Sequence, residues 1–237
     1  MKNIKNILFA AMVSSTGALA TLQPMVPLHQ DQSFRLSGGV LVNIAKGNDV
    51  FGGVNFTHFF SPGLFYGAGL DLGYSNALGF RFADQVKEGS TRMDLELSAG
   101  FLPEVGKGFN LGLIIKAGFG RQFGKRADEF FSSHKVSFGD LNVKVGIAMS
   151  YQLLDKAAVY LIPSYAMTSI RFFKEDAGSD IKSISRLSGF EIPLGIDFVF
   201  FDSEHVSLFL ETTTRLLDLN DFRSFGQEFA LGISYAL

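Results

Sequence analysis

The sequence lacks cysteine and tryptophan altogether, and its 237 residues carry little net charge. The absence of cysteine excludes disulfides, thiol catalysis, cysteine-ligated zinc, iron–sulfur clusters and a lipoprotein anchor. The formal net charge of −2 argues against nucleic acid as a partner, because phosphate backbones are bound by clustered lysine and arginine. Apolar residues make up 47% of the chain, which excludes wholesale disorder.

Long apolar runs are also missing, apart from the N-terminus, so a helical membrane protein is excluded. Residues 1–20 have the three parts of a secretory signal peptide. Lys2 and Lys5 precede the apolar run 7–13, and Ala18-Leu19-Ala20 fits a small-x-small cleavage site. An ordinary amphipathic first helix is the alternative. We expect cleavage after Ala20 and export through the Sec pathway.

From Ser33 onward, apolar and polar residues alternate with the period of two that is typical of β-strands. In the clearest run, 64–74, Leu64, Tyr66 and Leu70 share one face, while glycines and Asp71 occupy the other. The complete set of runs is 33–45, 50–60, 64–74, 91–101, 109–119, 139–153, 157–171, 190–200, 206–216 and 225–237. The pattern predicts an all-β domain of ten strands, or eight if two weak runs lie outside the sheet.

The connections between these runs alternate in length from the second strand onward. The short ones are 61–63, 103–108, 154–156 and 202–204, the long ones 75–90, 121–136 and 172–186, and 217–223 is intermediate. Tight turns therefore gather at one end of the sheet and large loops at the other. This layout predicts a closed antiparallel up-and-down transmembrane β-barrel.

Alternation alone does not separate a barrel in lipid from a secreted β-sandwich or a lipocalin-like barrel. Ten strands with roughly five or six apolar positions each would overfill the inside of a small barrel. The opposite face carries glycine, serine and isolated charges, which suits a narrow polar lumen. These observations favour an apolar face towards lipid, with the sandwich as the open alternative. Aromatic residues near the strand ends, among them Phe59, Phe101, Tyr151, Tyr74 and Phe190, predict two interfacial belts.

The chain ends on Gly232-Ile233-Ser234-Tyr235-Ala236-Leu237. Gly232, Tyr235 and Leu237 form a Gly-x-x-aromatic-x-apolar pattern that resembles the C-terminal assembly signal of bacterial outer-membrane barrels. Together with the signal peptide and the strand pattern, residues 33–237 resemble the opacity-protein and OmpA-transmembrane-domain type of small barrel. The resemblance implies the outer membrane of a Gram-negative bacterium, surrounded by phospholipid and lipopolysaccharide, and recognition by the barrel-assembly machinery. Residues 21–32 would then be a periplasmic lead-in.

The polar strand faces carry eight acidic and five basic residues that a barrel would enclose. They are Arg35, Asp71, Arg92, Asp94, Glu96, Lys116, Asp140, Lys144, Glu191, Asp197, Glu211, Arg215 and Glu228. A charge inside a narrow barrel needs a partner or water. We expect an ion-pair network that fills the lumen of a structural or adhesive surface protein. A narrow porin-like channel for small polar solutes or ions is the alternative.

Four histidines are the candidates for catalysis and metal binding. Only His134 falls in a predicted long loop, near Asp128 and Glu129, and a solvated histidine is the expected interpretation. Neither G-x-S-x-G nor HExxH occurs, so we predict no enzyme, no cofactor and no metal; an outer-membrane hydrolase is a remote alternative. The long loops mix charges with phenylalanine, which suits contact with host or cell-surface ligands or packing across the barrel mouth.

Overall fold

The computed structural model describes residues 34–43, 49–75, 90–123, 136–174, 183–199, 205–219 and 222–236. The strands in them are β1 (Phe34–Asn43), β2 (Asp49–Ser61), β3 (Leu64–Ser75), β4 (Ser90–Phe101), β5 (Glu104–Gly106), β6 (Phe109–Phe123), β7 (Val136–Leu154), β8 (Ala157–Leu161), β9 (Ser164–Lys174), β10 (Ser183–Val199), β11 (Val206–Leu219) and β12 (Phe222–Ala236). These ranges contain no helix that is long and apolar enough to cross a membrane. The predicted signal peptide, the lead-in and most of the three long loops lie outside them.

The strands close into a barrel, because β1 pairs antiparallel with both β2 and the last strand, β12. β8 and β9 each pair with β7 on one side and β10 on the other, so together they form one broken strand. β5 only extends the turn before β6. The described part of the chain is therefore a ten-strand antiparallel barrel. The ten-strand prediction is confirmed and the eight-strand alternative is wrong.

The break between β8 and β9 lies at Pro163, the proline that weakened the alternation of run 157–171. Proline has no N–H to donate to the ladder. Ile162 donates to the carbonyl of Pro193 on β10 (2.9 Å), and Pro193 has no N–H to return the bond. The hydroxyl of Ser164 donates to the Ile162 carbonyl instead (3.1 Å). A side chain thus replaces a missing backbone donor.

When the paired residues are followed once around the closed barrel, the path returns to the same strand at a different residue. The size of this displacement sets the tilt of the strands. From Asp94, the register leads through β6 to Asp140 on β7. In the other direction it leads through the remaining strands to Gln152 on the same strand. These positions differ by 12 residues (152 − 140), which is the shear number. Ten strands with this shear are tilted by about 40° to the barrel axis.

The two faces of the barrel wall differ in polarity as the alternation predicts. Large apolar side chains are exposed on the outer face of every long strand, for example Leu97, Leu113, Ile147 and Leu231. Buried polar and charged side chains occupy the alternate positions, which face inward. The apolar residues thus face outward, the arrangement expected of a barrel in lipid rather than of a soluble core.

Several strands reach further into the predicted loops than the alternation shows. The predicted loop 172–186 is partly strand, since β9 extends to Lys174 and β10 begins at Ser183. The predicted connection 217–223 is mostly strand, because Leu219 and Phe222 still pair in the ladder. Beyond the apolar band, polar and apolar residues no longer alternate clearly, although the backbone hydrogen bonds between strands continue. The alternation of the sequence therefore underestimates the length of the strands. Phe190, expected beside a loop, consequently lies well inside β10.

Candidate functional site: the barrel interior

The structure places eleven of the thirteen predicted lumen charges on inward-facing strand positions. Ten of them are buried, and Lys116 is half-buried. The side chains of Asp140 and Arg215 lie outside the part of the chain that the structure describes, although their strands and register are given. Seven acids and four bases therefore share the described interior.

The contacts among these charges include four ion pairs. Arg92 forms hydrogen bonds with Asp94 two residues away on β4, the shortest at 2.7 Å. Lys116 on β6 lies 3.1 Å from Glu96 on the adjacent strand β4. Lys144 on β7 lies 2.7 Å from Glu191 on β10, across the intervening strand β9. The neighbouring carboxylates Asp94 and Glu96 thus each contact a base, which argues against a shared carboxylate site.

The fourth pair joins more distant strands. Arg35 on β1 contacts Asp197 on β10, and its guanidinium also donates to the hydroxyl of Ser207 on β11 (3.0 Å). Tyr160 on β8 likewise donates to Glu211 on β11 (2.7 Å) across β10. Such side-chain contacts link strands that are not neighbours and therefore share no backbone hydrogen bonds. They connect the first strand of the chain with strands near its end.

Acidic side chains predominate in the described interior, where they outnumber basic ones seven to four. Asp71 lies directly opposite Asp94 in the ladder, and both are buried. Among the described residues, no group of three histidine, aspartate or glutamate side chains is arranged to hold a metal ion. Asn142 is fully buried, and neither its amide nitrogen nor its oxygen has a hydrogen-bond partner among the residues that the structure describes.

Apolar side chains also enter the interior, so the predicted polar lumen is partly filled by apolar clusters. One cluster, called here the turn-end plug, lies beside the short turns: Phe65, Leu102, Ile114, Ala148, Ala158, Tyr160 and Ile162, with Phe59 packed against it. Phe59 was predicted in an outer belt but belongs to this plug. The sequence signal was present, because Phe65 and Ile114 interrupt the polar face of their runs. A second cluster, Leu41, Phe51, Phe209 and Ala230, covers the opposite wall.

The outer face carries an aromatic group near the short turns. The ring of His58 stacks on Phe34 with centroids 4.3 Å apart, and its Nδ1 lies 2.9 Å from the hydroxyl of Tyr66. Phe60 and Tyr66 pack beside it. His205 is exposed at the turn before β11, near Tyr235. Both histidines thus lie at the end opposite the long loops, and His134 lies outside the described residues.

The C-terminal pattern falls on the closing strand. Gly232 is buried and faces inward, while Tyr235 is exposed on the outer face and pairs with Leu36 and Val206. β12 therefore completes the ladder between the first strand and β11. Leu237 lies outside the described residues.

Comparison with known proteins rests on structure. No protein-family model and no curated protein matches the sequence. The outer-membrane protease OmpT of Escherichia coli is similar at 9% identity over 88% of this chain and 98% of that one, with a TM-score of 0.47. Neisserial surface protein A is similar at 8% identity over 86% of this chain and 96% of that one, with a TM-score of 0.43. The translocator domain of the autotransporter NalP from Neisseria meningitidis is similar at 10% identity over 99% of this chain and 96% of that one, with a TM-score of 0.49.

The chain's own geometry carries the assignment of fold. Ten antiparallel strands close on themselves, the outer wall is apolar, and the interior holds paired charges. This chain therefore has the architecture of the small bacterial outer-membrane β-barrels that its sequence resembles.

Proposed function

We propose that the protein is an outer-membrane barrel of a Gram-negative bacterium that does not conduct and whose long loops contact ligands at the cell surface. The apolar outer wall supports the membrane location, because an exposed surface of this composition would aggregate in water. Closure supports it as well, since an open sheet edge in lipid would leave backbone groups unpaired. Lipid and lipopolysaccharide would surround such a barrel, and the barrel-assembly machinery would insert it.

The burial of inward-facing side chains is the observation that carries the non-conducting part of this proposal. Arg92 and Asp197 are 0% exposed, Glu96 is 1% exposed, and Phe209 is 0% exposed. The side chains that line a water-filled pore would be accessible to solvent. In the described interior, charges occupy the middle of the barrel and the turn-end plug lies near the short turns, which argues against a continuous path for a hydrated ion.

The ion pairs support the same conclusion. Moving an ion through the interior would require separating pairs such as Lys144 and Glu191, whose charged atoms lie 2.7 Å apart. A buried charge that loses its partner destabilises a protein by about 3–5 kcal/mol. The network therefore acts as a rigid filling that also cross-links strands.

A narrow cation-favouring channel is the second candidate. The excess of acids, seven against four bases in the described interior, would favour cations if the filling rearranged. Asp71, which faces Asp94 across the ladder, would be part of such a path.

Contact through the loops follows from their position on a rigid barrel. The loops 76–89, 124–135 and 175–182 connect strands at the end opposite the short turns. Loops held by a stable scaffold commonly carry binding functions. Their sequences mix charges with Phe80, Phe82, Phe130 and Phe131, which suits a protein or glycolipid surface. No catalytic role is assigned to them.

Conductance across a planar bilayer tests the proposal. The mature chain would be refolded in detergent, and its insertion verified by a difference in gel mobility between heated and unheated samples. We expect no single-channel current from inserted protein, with a known porin as the positive control. Reproducible cation-selective current steps would overturn the non-conducting proposal in favour of the channel.

The adhesive part of the proposal is tested by measuring how well the full barrel binds to host cells. A variant shortened in loop 124–135 is the comparison, and equal binding by both proteins would contradict the adhesive role.

A further inference from the structure

Three polar side chains interrupt the apolar outer wall. Thr212 and Thr214 on β11 and Gln227 on β12 alternate with buried inward residues, so they lie on the outer face. The Thr214 hydroxyl donates to the Gln227 carbonyl oxygen (3.1 Å), and the Gln227 amide donates to Thr212. We call Thr212, Thr214 and Gln227 the polar trio.

The polar trio lies within the apolar band and not at its edge. On β11, Leu210 and Leu216 bracket the two threonines on the same face and are 50% and 48% exposed. On β12, Phe229 and Leu231 continue the apolar face below Gln227. Most other outward positions of the described wall carry aliphatic or aromatic side chains. A glutamine at such a position is costly, because hydrocarbon offers it no hydrogen-bond partner.

The contacts within the trio leave hydrogen-bonding capacity unused. An amide group has two N–H donors and two acceptor sites on its oxygen. Gln227 uses one donor and one acceptor within the described protein. One N–H and one lone pair therefore remain, together with the Thr212 hydroxyl proton. All three residues are half-buried, so a neighbour can reach them from the membrane side.

We propose that the polar trio is the centre of a contact between two copies of this chain in the membrane. The inference rests on the membrane location proposed above. Two copies inserted in the same direction and related by a twofold axis along the membrane normal place Gln227 opposite Gln227 at the same depth. Because an amide both donates and accepts, each copy supplies what the other lacks. Lipid tails supply neither group, and small polar residues are frequent in contacts between membrane segments for this reason.

Cross-linking in bilayers tests this contact, and the absence of native cysteine makes each introduced thiol the only one in the chain. Phe229→Cys places a thiol beside the trio and leaves the trio intact. Leu97→Cys is the matched control, since Leu97 is equally outward on β4, five strands from β11 around the barrel. A short bis-maleimide would be added to inserted protein at high lipid excess. We expect a dimer band at least fivefold stronger for Phe229→Cys than for Leu97→Cys.

Removal of the trio completes the test. Adding Gln227→Leu, or Thr212→Val with Thr214→Val if the first variant inserts poorly, should reduce the Phe229→Cys dimer to the control level. Equal cross-linking by Phe229→Cys and Leu97→Cys overturns the proposal, and so does a dimer that survives loss of the trio. A chain that never inserts overturns this inference together with the membrane location, whereas an inserted monomer overturns this inference alone.

Discussion

The ring of Phe209 lies flat over Gly232, its direct partner on the neighbouring strand, so that a Cβ at Gly232 would collide with the ring. The same relationship holds for the four aromatic residues that are buried in the described interior. The pairs are Phe51 with Gly73, Phe65 with Gly100, Tyr160 with Gly195 and Phe209 with Gly232. Glycine leaves space on the wall, and the aromatic ring covers the backbone there, which fills a narrow barrel without widening it.

Replacing Gly232 by alanine should destabilise the barrel, because the new methyl group meets both the Phe209 ring and the Gly38 carbonyl. Overpacking of this kind costs about 1–3 kcal/mol. Gly52→Ala is the matched control, since its Cβ meets nothing closer than 3.9 Å. Urea unfolding of the two variants in the same detergent measures the difference. Equal midpoints would contradict the packing described for Phe209.

Breaking the Arg35–Asp197 pair should cost more than removing it entirely. Arg35→Met leaves the buried carboxylate of Asp197 without its base, which is expected to cost about 3–5 kcal/mol. Arg35→Met with Asp197→Leu removes both charges and should recover much of the loss. Unfolding free energies of the two single variants and the double variant give the coupling. A double variant as unstable as the sum of the singles would show that the two charges do not interact.

Ser164→Ala should weaken the barrel at the break between β8 and β9. Its hydroxyl supplies the hydrogen bond to Ile162 that Pro193 cannot donate, and loss of such a bond costs about 1 kcal/mol. In a Pro193→Ala background the backbone N–H returns, so Ser164→Ala should then have little effect. A double-mutant cycle by denaturant unfolding measures this dependence. The same loss in both backgrounds would mean that Ser164 acts in another way.

The absence of tryptophan allows the lipid-facing wall to be mapped with single-tryptophan variants. Leu97→Trp in the middle of the outer wall should be quenched most by lipids brominated deep in their chains. Phe60→Trp, exposed near the short turns, should respond best to bromine near the headgroup. Phe209→Trp faces inward and should respond to neither. Strong quenching of Phe209→Trp together with no quenching of Leu97→Trp would show that lipid does not contact the outer wall.

The sequence predicted more about the wall than about the filling. Strict alternation is enough to identify strands such as 64–74 and to say which face is apolar, because side chains alternate across any strand. It did not place Phe59, which was assigned from its position near the strand end although it shares the inward face of Asn55 and Thr57 and packs against the plug. It also began β10 seven residues too late, since alternation weakens above the apolar band while pairing continues to Ser183.

What the sequence determined by itself was local: strand, face and the alternation of short and long connections, all consequences of a two-residue repeat. Only the tertiary structure decided which charges meet. Arg35 and Asp197 are 162 residues apart in the chain, and their contact depends on the closure and shear that bring β1 near β10. The interior filling and the polar trio arise in the same way, because each joins residues whose proximity is set by how the strands are staggered around the barrel and not by any spacing along the chain.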